Sequence, residues 1–240
     1  MSETIPAAFT GALRRDPNVP LLTFYDDATG DRSELSGATL DNWVAKTANM
    51  LVDGAGLEAG DTVAVLLPPH WQTAAILLGA WAAGLAVDPG EEPAGALFTT
   101  PDRVGAADSR PAGDRYATGL LPLAMPLRQV PPGYLDYVVE VRAFGDHFTP
   151  ARPVTGDDPA IEGTHPASHR AVTLAAGERA GVLGIAAGDR VLVDARTHPE
   201  PADWLLAPLV AGASVVLCAN LDPGAVARRA AAERVTVTMT

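Results

Sequence analysis

The side chains best suited to chemistry gather between Asp157 and Leu174, in the run DDPAIEGTHPASHRAVTL. His165 and His169 stand four residues apart, the spacing that puts two imidazoles on one face of a helix, as a metal site requires. Asp157, Asp158 and Glu162 add carboxylate oxygens nearby. Pro166 breaks the pattern, because a proline is tolerated at a helix start and not in its interior. The helix is therefore expected to begin after His165, with the histidines serving hydrogen bonds at its start and no metal bound. His198 sits in Ala195-Arg196-Thr197-His198 and reads as a surface-loop histidine. His70, beside Trp71, reads as the cap of an apolar helix, and His147 supports no motif. No serine lies in a G-x-S-x-G elbow, and neither G-x-G-x-x-G nor G-x-x-x-x-G-K-[ST] occurs. Hydrolase, dinucleotide and P-loop chemistry lose their defining residues, and no catalytic residue is assigned.

The elements that must hold these residues alternate in type. A helix is expected over residues 4–15, with Phe9 and Leu13 on one face. Leu21 to Tyr25 and Arg32 to Leu35 flank the turn Asp26-Asp27-Ala28-Thr29-Gly30 and read as a hairpin. Ser36 or Thr39 caps a helix carrying Leu40, Trp43, Val44, Thr47, Met50 and Leu51 at helical spacing. Thr62 to Leu67 is a continuous apolar strand of the kind found in parallel sheets covered on both faces. A helix over 70–83 and a strand over 85–87 follow, which predicts a right-handed crossover, closed by a turn at Asp88-Pro89-Gly90. Gly95 to Thr100 reads as a strand and Pro101 to Ala107 as a short helix. The stretch 111–132 has too many Pro and Gly for a long element, and Tyr134 to Val141 fits helix or strand equally. Beyond Ser168 come a helix over 172–183, strands over 190–193 and 214–217, a helix over 204–210, a helix from the cap Asp222 to Arg234, and a last strand over 235–239. An exposed final strand invites pairing with another chain. LEAGDTVAVLLP at 57–68 echoes IAAGDRVLVDAR at 185–196, either as a repeat of two α/β lobes or through common use of Gly-Asp turns.

Composition bounds the function. The 240 residues are 48% apolar and only 5% aromatic, so the core is expected from Ala, Val and Leu. A net charge of -12 argues against nucleic acid and anionic membranes as partners. Cys218, the one cysteine, excludes an intramolecular disulfide and lies in the apolar run SVVLCAN, where a buried inert thiol is expected. MSETIPAAF lacks the basic and apolar regions of a signal peptide, and Thr73 to Val87 is short and broken by glycine, so a cytoplasmic protein is expected.

Four segments in order resemble the large N-terminal domain of the adenylate-forming superfamily, the acyl-CoA synthetases, adenylation domains and luciferases. They are GLEAGDTVAVLLPPHWQTAAILLGAWAAGLAVDP at 56–89, DDPA at 157–160, SHRAV at 168–172 and WLLAPLVAGASVVLCANLDPGAVARRAAAERVTVTMT at 204–240. The whole is similar to a short actinobacterial family of such truncated proteins. The resemblance implies an α/β fold of mainly parallel sheets flanked by helices. It also implies a single truncated domain over 1–240, with possible sub-lobes 1–156 and 157–240. The superfamily's chemistry uses a Ser/Thr/Gly-rich loop ending in Lys that cradles ATP phosphates through backbone N–H groups. It further uses a Thr-Glu magnesium motif, a ribose-binding Asp and a C-terminal Lys that stabilises the transition state. Here DDPA and SHRAV would bracket the phosphate loop, yet only thirteen residues run from Asp157 to His169. The loop and its flanks call for about nine more. Sixteen of the seventeen basic residues are Arg, and the one Lys, Lys46, lies on an early helix. The magnesium motif, the ribose Asp and the C-terminal domain would lie beyond Thr240. The expectation is a degenerate pseudoenzyme with no cofactor, acting in ligand binding or protein interaction. Its ligand would be a small acyl or nucleotide group in a vestigial cleft lined by Thr164, His165, His169 and His198, the last matching a superfamily acyl-pocket histidine. The alternative is a subunit or remnant of an ATP-dependent acyl ligase completed by a partner chain. A homodimer is a further possibility.

Overall fold

The computed structural model describes residues 2–88 and 92–240. In chain order the elements are α1 (Ile5–Leu13), β1 (Pro20–Asp26), β2 (Asp31–Ser36), α2 (Gly37–Asn49), β3 (Thr62–Leu66), α3 (Trp71–Ala82) and β4 (Ala86–Asp88). Then follow β5 (Ala94–Thr99), α4 (Val104–Ala107), β6 (Ala112–Ala117), β7 (Leu135–Asp136), α5 (Tyr137–Val141), β8 (Pro159–Ile161) and β9 (Ala167–Ser168). The chain closes with α6 (His169–Val182), β10 (Arg190–Asp194), α7 (Ala207–Ala211), β11 (Ser214–Ala219), α8 (Val226–Glu233) and β12 (Val237–Met239). Pro89 and Gly90 of the expected turn lie outside the described residues.

The fold is mixed α/β with mostly parallel sheets, and the chain divides into two compact units. Residues 1–40, 68–74 and 170–240 form the first, and 41–67 with 75–169 the second. A sequential cut at 156/157 does not separate them, because β8 pairs with β4 and so stays in the second unit.

Among the described residues, the first unit holds a five-stranded sheet in the order β12-β10-β11-β1-β2. Only the β1–β2 hairpin is antiparallel. Its turn forms because Asp26 accepts the Ala28 amide at 2.9 Å and Gly30 adopts φ 80°, which glycine takes without a Cβ penalty. One face of this sheet packs Leu192, Val216 and Cys218 with Tyr25, Leu221 and Val235. Helix α8 contributes no buried residue and is tied down by charge. Glu233 accepts from Tyr25 Oη at 2.6 Å, from Arg32 at 2.9 Å and from Arg190 at 2.6 Å. Arg229 forks onto Asp27 and lies 4.2 Å over the Tyr25 ring.

Among the described residues, the second unit holds a seven-stranded sheet in the order β7-β6-β5-β3-β4-β8-β9, parallel except for β8–β9. Strand β6 falls in the Pro- and Gly-rich stretch expected to lack a long element. It forms because pairing with β5, Ala94↔Ala112 through Thr99↔Ala117, supplies what local propensity does not. The ambiguous stretch 134–141 is both types: β7, then α5 capped by Asp136, whose carboxylate accepts the Val138 amide at 2.9 Å. One core cluster is mainly small and aliphatic, Ala64, Ala94, Leu97, Ala107 and Ala117 packed around Tyr134, while the buried rings of Phe98, Tyr116 and Tyr137 pack against one another.

The echo between 57–68 and 185–196 corresponds to the same local geometry in each unit, a Gly-Asp turn that leads into a parallel strand. Asp61 accepts the Glu58 amide at 2.8 Å, and Asp189 accepts that of Ala186 at 2.6 Å. Gly60 donates to the Gly84 carbonyl at 2.9 Å, and Gly188 to that of Gly212 at 3.0 Å. The strand registers match too, Thr62 against Ala86 and Arg190 against Ser214.

Candidate functional site

The stretch 157–169 folds as a short antiparallel pair. Strand β8 lies against β4 through Val87↔Ile161, and the Glu162 amide donates to the Val87 carbonyl at 3.1 Å. Trp81 on α3 fixes β8 from the side by donating Nε1–H to the Ala160 carbonyl at 2.8 Å. The chain then turns through 162–166 and returns as β9. Thr164, His165 and Pro166 are exposed on this turn, and α6 begins only at His169. The two histidines are therefore not on one helix, as Pro166 dictates. His169 is fully buried, and its amide donates to the Asp158 carbonyl at 3.0 Å. Burial pulls its imidazole down to about 4 against the opposing charge of Asp158, so it is neutral at pH 7. Asp158 is held at about 2, first by the Arg152 guanidinium at 2.8 Å and then by the Thr155 amide. Among the described residues no group of three or more His, Cys, Asp or Glu is placed to hold a metal.

Beneath this turn lies a feature with no sequence motif. Asp88, at the end of β4, is fully buried and paired with buried Arg110: Nη2 reaches its carboxylate at 2.6 Å and Nη1 its carbonyl at 3.2 Å. Gly163 closes over that carboxylate with φ 92°, and a Cβ there would stand 2.4 Å from Asp88 Oδ1. A buried charge must be paired, and only glycine lets the turn approach so closely.

Thr164, His165 and His169 belong to the second unit and His198 to the first. His198 is not a free surface histidine. Its amide donates to the Asp194 carbonyl at 3.0 Å, winding the chain tightly after β10. Its Nδ1 lies 2.9 Å from Asp203 Oδ2, with the two side chains 18% and 14% exposed. Arg179 from α6 forks onto the same carboxylate at 2.6 and 2.8 Å. That guanidinium is the main cause of the lowered Asp203 pKa. Neither Asp203 nor Arg179 has a recognisable spacing from His198. The signal available was an acid five residues on, at the start of a helix.

The remaining candidates are structural. His70 accepts the Gln72 amide at 3.1 Å and meets Phe24 edge-on at 4.3 Å. Burial lowers it to about 3. Cys218 is fully buried, and burial raises its thiol to about 11. Lys46 spends its amine on the Phe144 carbonyl at 2.6 Å.

Residues 9–91 match the model of the AMP-binding enzyme family. A Mycobacterium tuberculosis H37Rv protein named "TIGR03089 family protein" is 40% identical over 245 residues, covering 97% of this chain and 98% of its own. The acyl-CoA synthetase of Brucella canis superposes with a TM-score of 0.74 at 21% identity, over 96% of this chain and 46% of that one. A fatty acyl CoA synthetase of Mycobacterium tuberculosis gives 0.73 at 14% identity, over 98% and 49%. The chain thus spans about half the length of the solved synthetases it matches. It belongs to the TIGR03089 family, and its fold is that of the N-terminal domain of AMP-binding, adenylate-forming enzymes.

Proposed function

We propose that this protein is a degenerate, non-catalytic AMP-binding-like domain that acts in the cytoplasm by binding a small acyl or nucleotide ligand or a partner protein. The observation that carries this reading is the five-residue turn 162–166 where the superfamily resemblance places a phosphate loop. That turn offers one glycine, and the glycine is committed to the Asp88 carboxylate. A phosphate cradle needs several free backbone N–H groups and a nearby cation. The chain's one lysine amine is bound to a carbonyl on another segment. Within the second unit, Thr164 and His165 on the exposed turn are the ligand contacts we propose, and within the first unit His198 is a separate one. His169 is buried at the start of α6, where its amide bonds the Asp158 carbonyl. The test is ATP–pyrophosphate exchange by the pure protein with a panel of carboxylic acids, and robust exchange would overturn the reading.

A second reading rests on β12, an edge strand of its sheet. Edge strands present unpaired backbone groups to other chains, which fits a subunit that completes its active site with a partner, or a homodimer. Native mass measurement from low to high protein concentration separates these. A strictly monomeric protein that captures no partner counts against both.

A further inference from the structure

We propose that Asp203, anchored by Arg179, fixes His198 as its Nδ1–H tautomer, which leaves Nε2 as a hydrogen-bond acceptor and selects a ligand that presents a hydrogen-bond donor there. The ligand half of this inference rests on the binding reading above, and the tautomer half does not. An ionised carboxylate is acceptor-only. The imidazole nitrogen 2.9 Å from Asp203 Oδ2 must therefore carry a proton. Asp203 is kept ionised by two bonds from Arg179, at 2.6 and 2.8 Å. It also stands in the first turn of a helical stretch, where negative charge is favoured. The backbone that carries the ring is held in place. The His198 amide is held by the Asp194 carbonyl at 3.0 Å, Thr197 Oγ1 donates to the same carbonyl at 3.2 Å, and Trp204 Nε1 holds the next residue's carbonyl at 3.2 Å.

The consequence is chemical. A neutral His198 presents only a lone pair on Nε2. It suits a hydroxyl, amine or amide N–H, and does not suit a carboxylate or phosphate oxygen, which is itself acceptor-only. Asp203 and Arg179 are thus positioning residues that set the polarity of one contact.

The test is long-range ¹H–¹⁵N correlation on the full chain labelled at histidine, recorded where His198 is neutral. The expected spectrum has a protonated Nδ1 and a bare Nε2. An Nε2–H tautomer in the unaltered protein overturns the inference, and this measurement needs no variant to fold. D203A is expected to move the major tautomer to Nε2–H. D203N, whose side-chain carbonyl can still accept, is expected to restore Nδ1–H. Retention of Nδ1–H in D203A assigns the proton to another cause and overturns the role of Asp203. Benzyl alcohol and benzoate then serve as a matched donor and acceptor pair: a shift of Nε2 by the alcohol alone supports the polarity, and a shift by benzoate alone overturns it. ATP–pyrophosphate exchange would sink the non-catalytic reading and leave the tautomer untouched.

Discussion

Replacing Glu233 tests whether charge, in place of apolar burial, holds α8 to its sheet. Its carboxylate receives Tyr25, Arg32 and Arg190 together. The Arg32 side chain is 44% exposed, so that bond is screened and adds little. Arg190 is 14% exposed and Tyr25 is half-buried, so these two carry the effect. A hydrogen bond to a charged group is worth about 1.5–3 kcal/mol, and stranding a partly buried guanidinium adds to the loss. E233A is therefore expected to cost about 2–3 kcal/mol, read as a lowered urea midpoint with unchanged slope. In thermal unfolding a chain of this size should lose about 4–12 °C. E233Q keeps an acceptor for Tyr25 and should fall between. The pH dependence has a definite sign. Burial pushes the Glu233 pKa up, but the bonds from Tyr25, Arg190 and Arg32 outweigh it and hold the group at about 2, below its ordinary 4.5. The stabilisation is complete above pH 4.5 and is lost as pH falls through that window toward 2. An E233A protein within about 0.5 kcal/mol of the parent would refute the reasoning, because α8 would then be held by something other than these bonds.

Other perturbations probe the remaining features. G163A must place a Cβ against Asp88 Oδ1 at φ 92°, so a loss of at least about 2 kcal/mol is expected in urea unfolding, and a parent-like midpoint would remove the packing argument. His70 is neutral in the fold at about 3 and ordinarily titrates at 6.5. The unfolded chain thus binds the extra proton, and stability should fall as pH drops below 6.5, an effect H70Q should largely abolish in acid titrations followed by circular dichroism. The Cys218 thiol, buried and raised to about 11, should resist iodoacetamide at pH 8 until denaturant is added. Fast labelling of the native protein would place it at the surface.

Much of the fold was legible because its cues are local. The run TVAVLL, the Asp-Gly turn at 26–30 and the Ser36 cap, which accepts the Thr39 amide at 3.2 Å, each specify their element without help from distant residues. The stretch 112–117 was not legible, since β6 owes its existence to β5. At the site, Pro166 correctly separated His165 from His169. The Asp88–Arg110 pair and the Arg179–Asp203–His198 chain escaped, because partners brought together by tertiary packing leave no spacing to read.

The strand order of the first unit also sets a timetable for synthesis. Strand β1 is made early, yet its parallel neighbour β11 comes near the end of the described chain, with Leu22 waiting for Val215. At ordinary translation rates that wait is on the order of ten to forty seconds. The second unit, residues 41–67 and 75–169, has its last strand, β9, completed at Ser168, before β11 is made. The hairpin β1–β2 must therefore persist with its β11-facing edge unsatisfied while the other unit folds, which makes this edge the place where nascent chains should first engage a chaperone or one another.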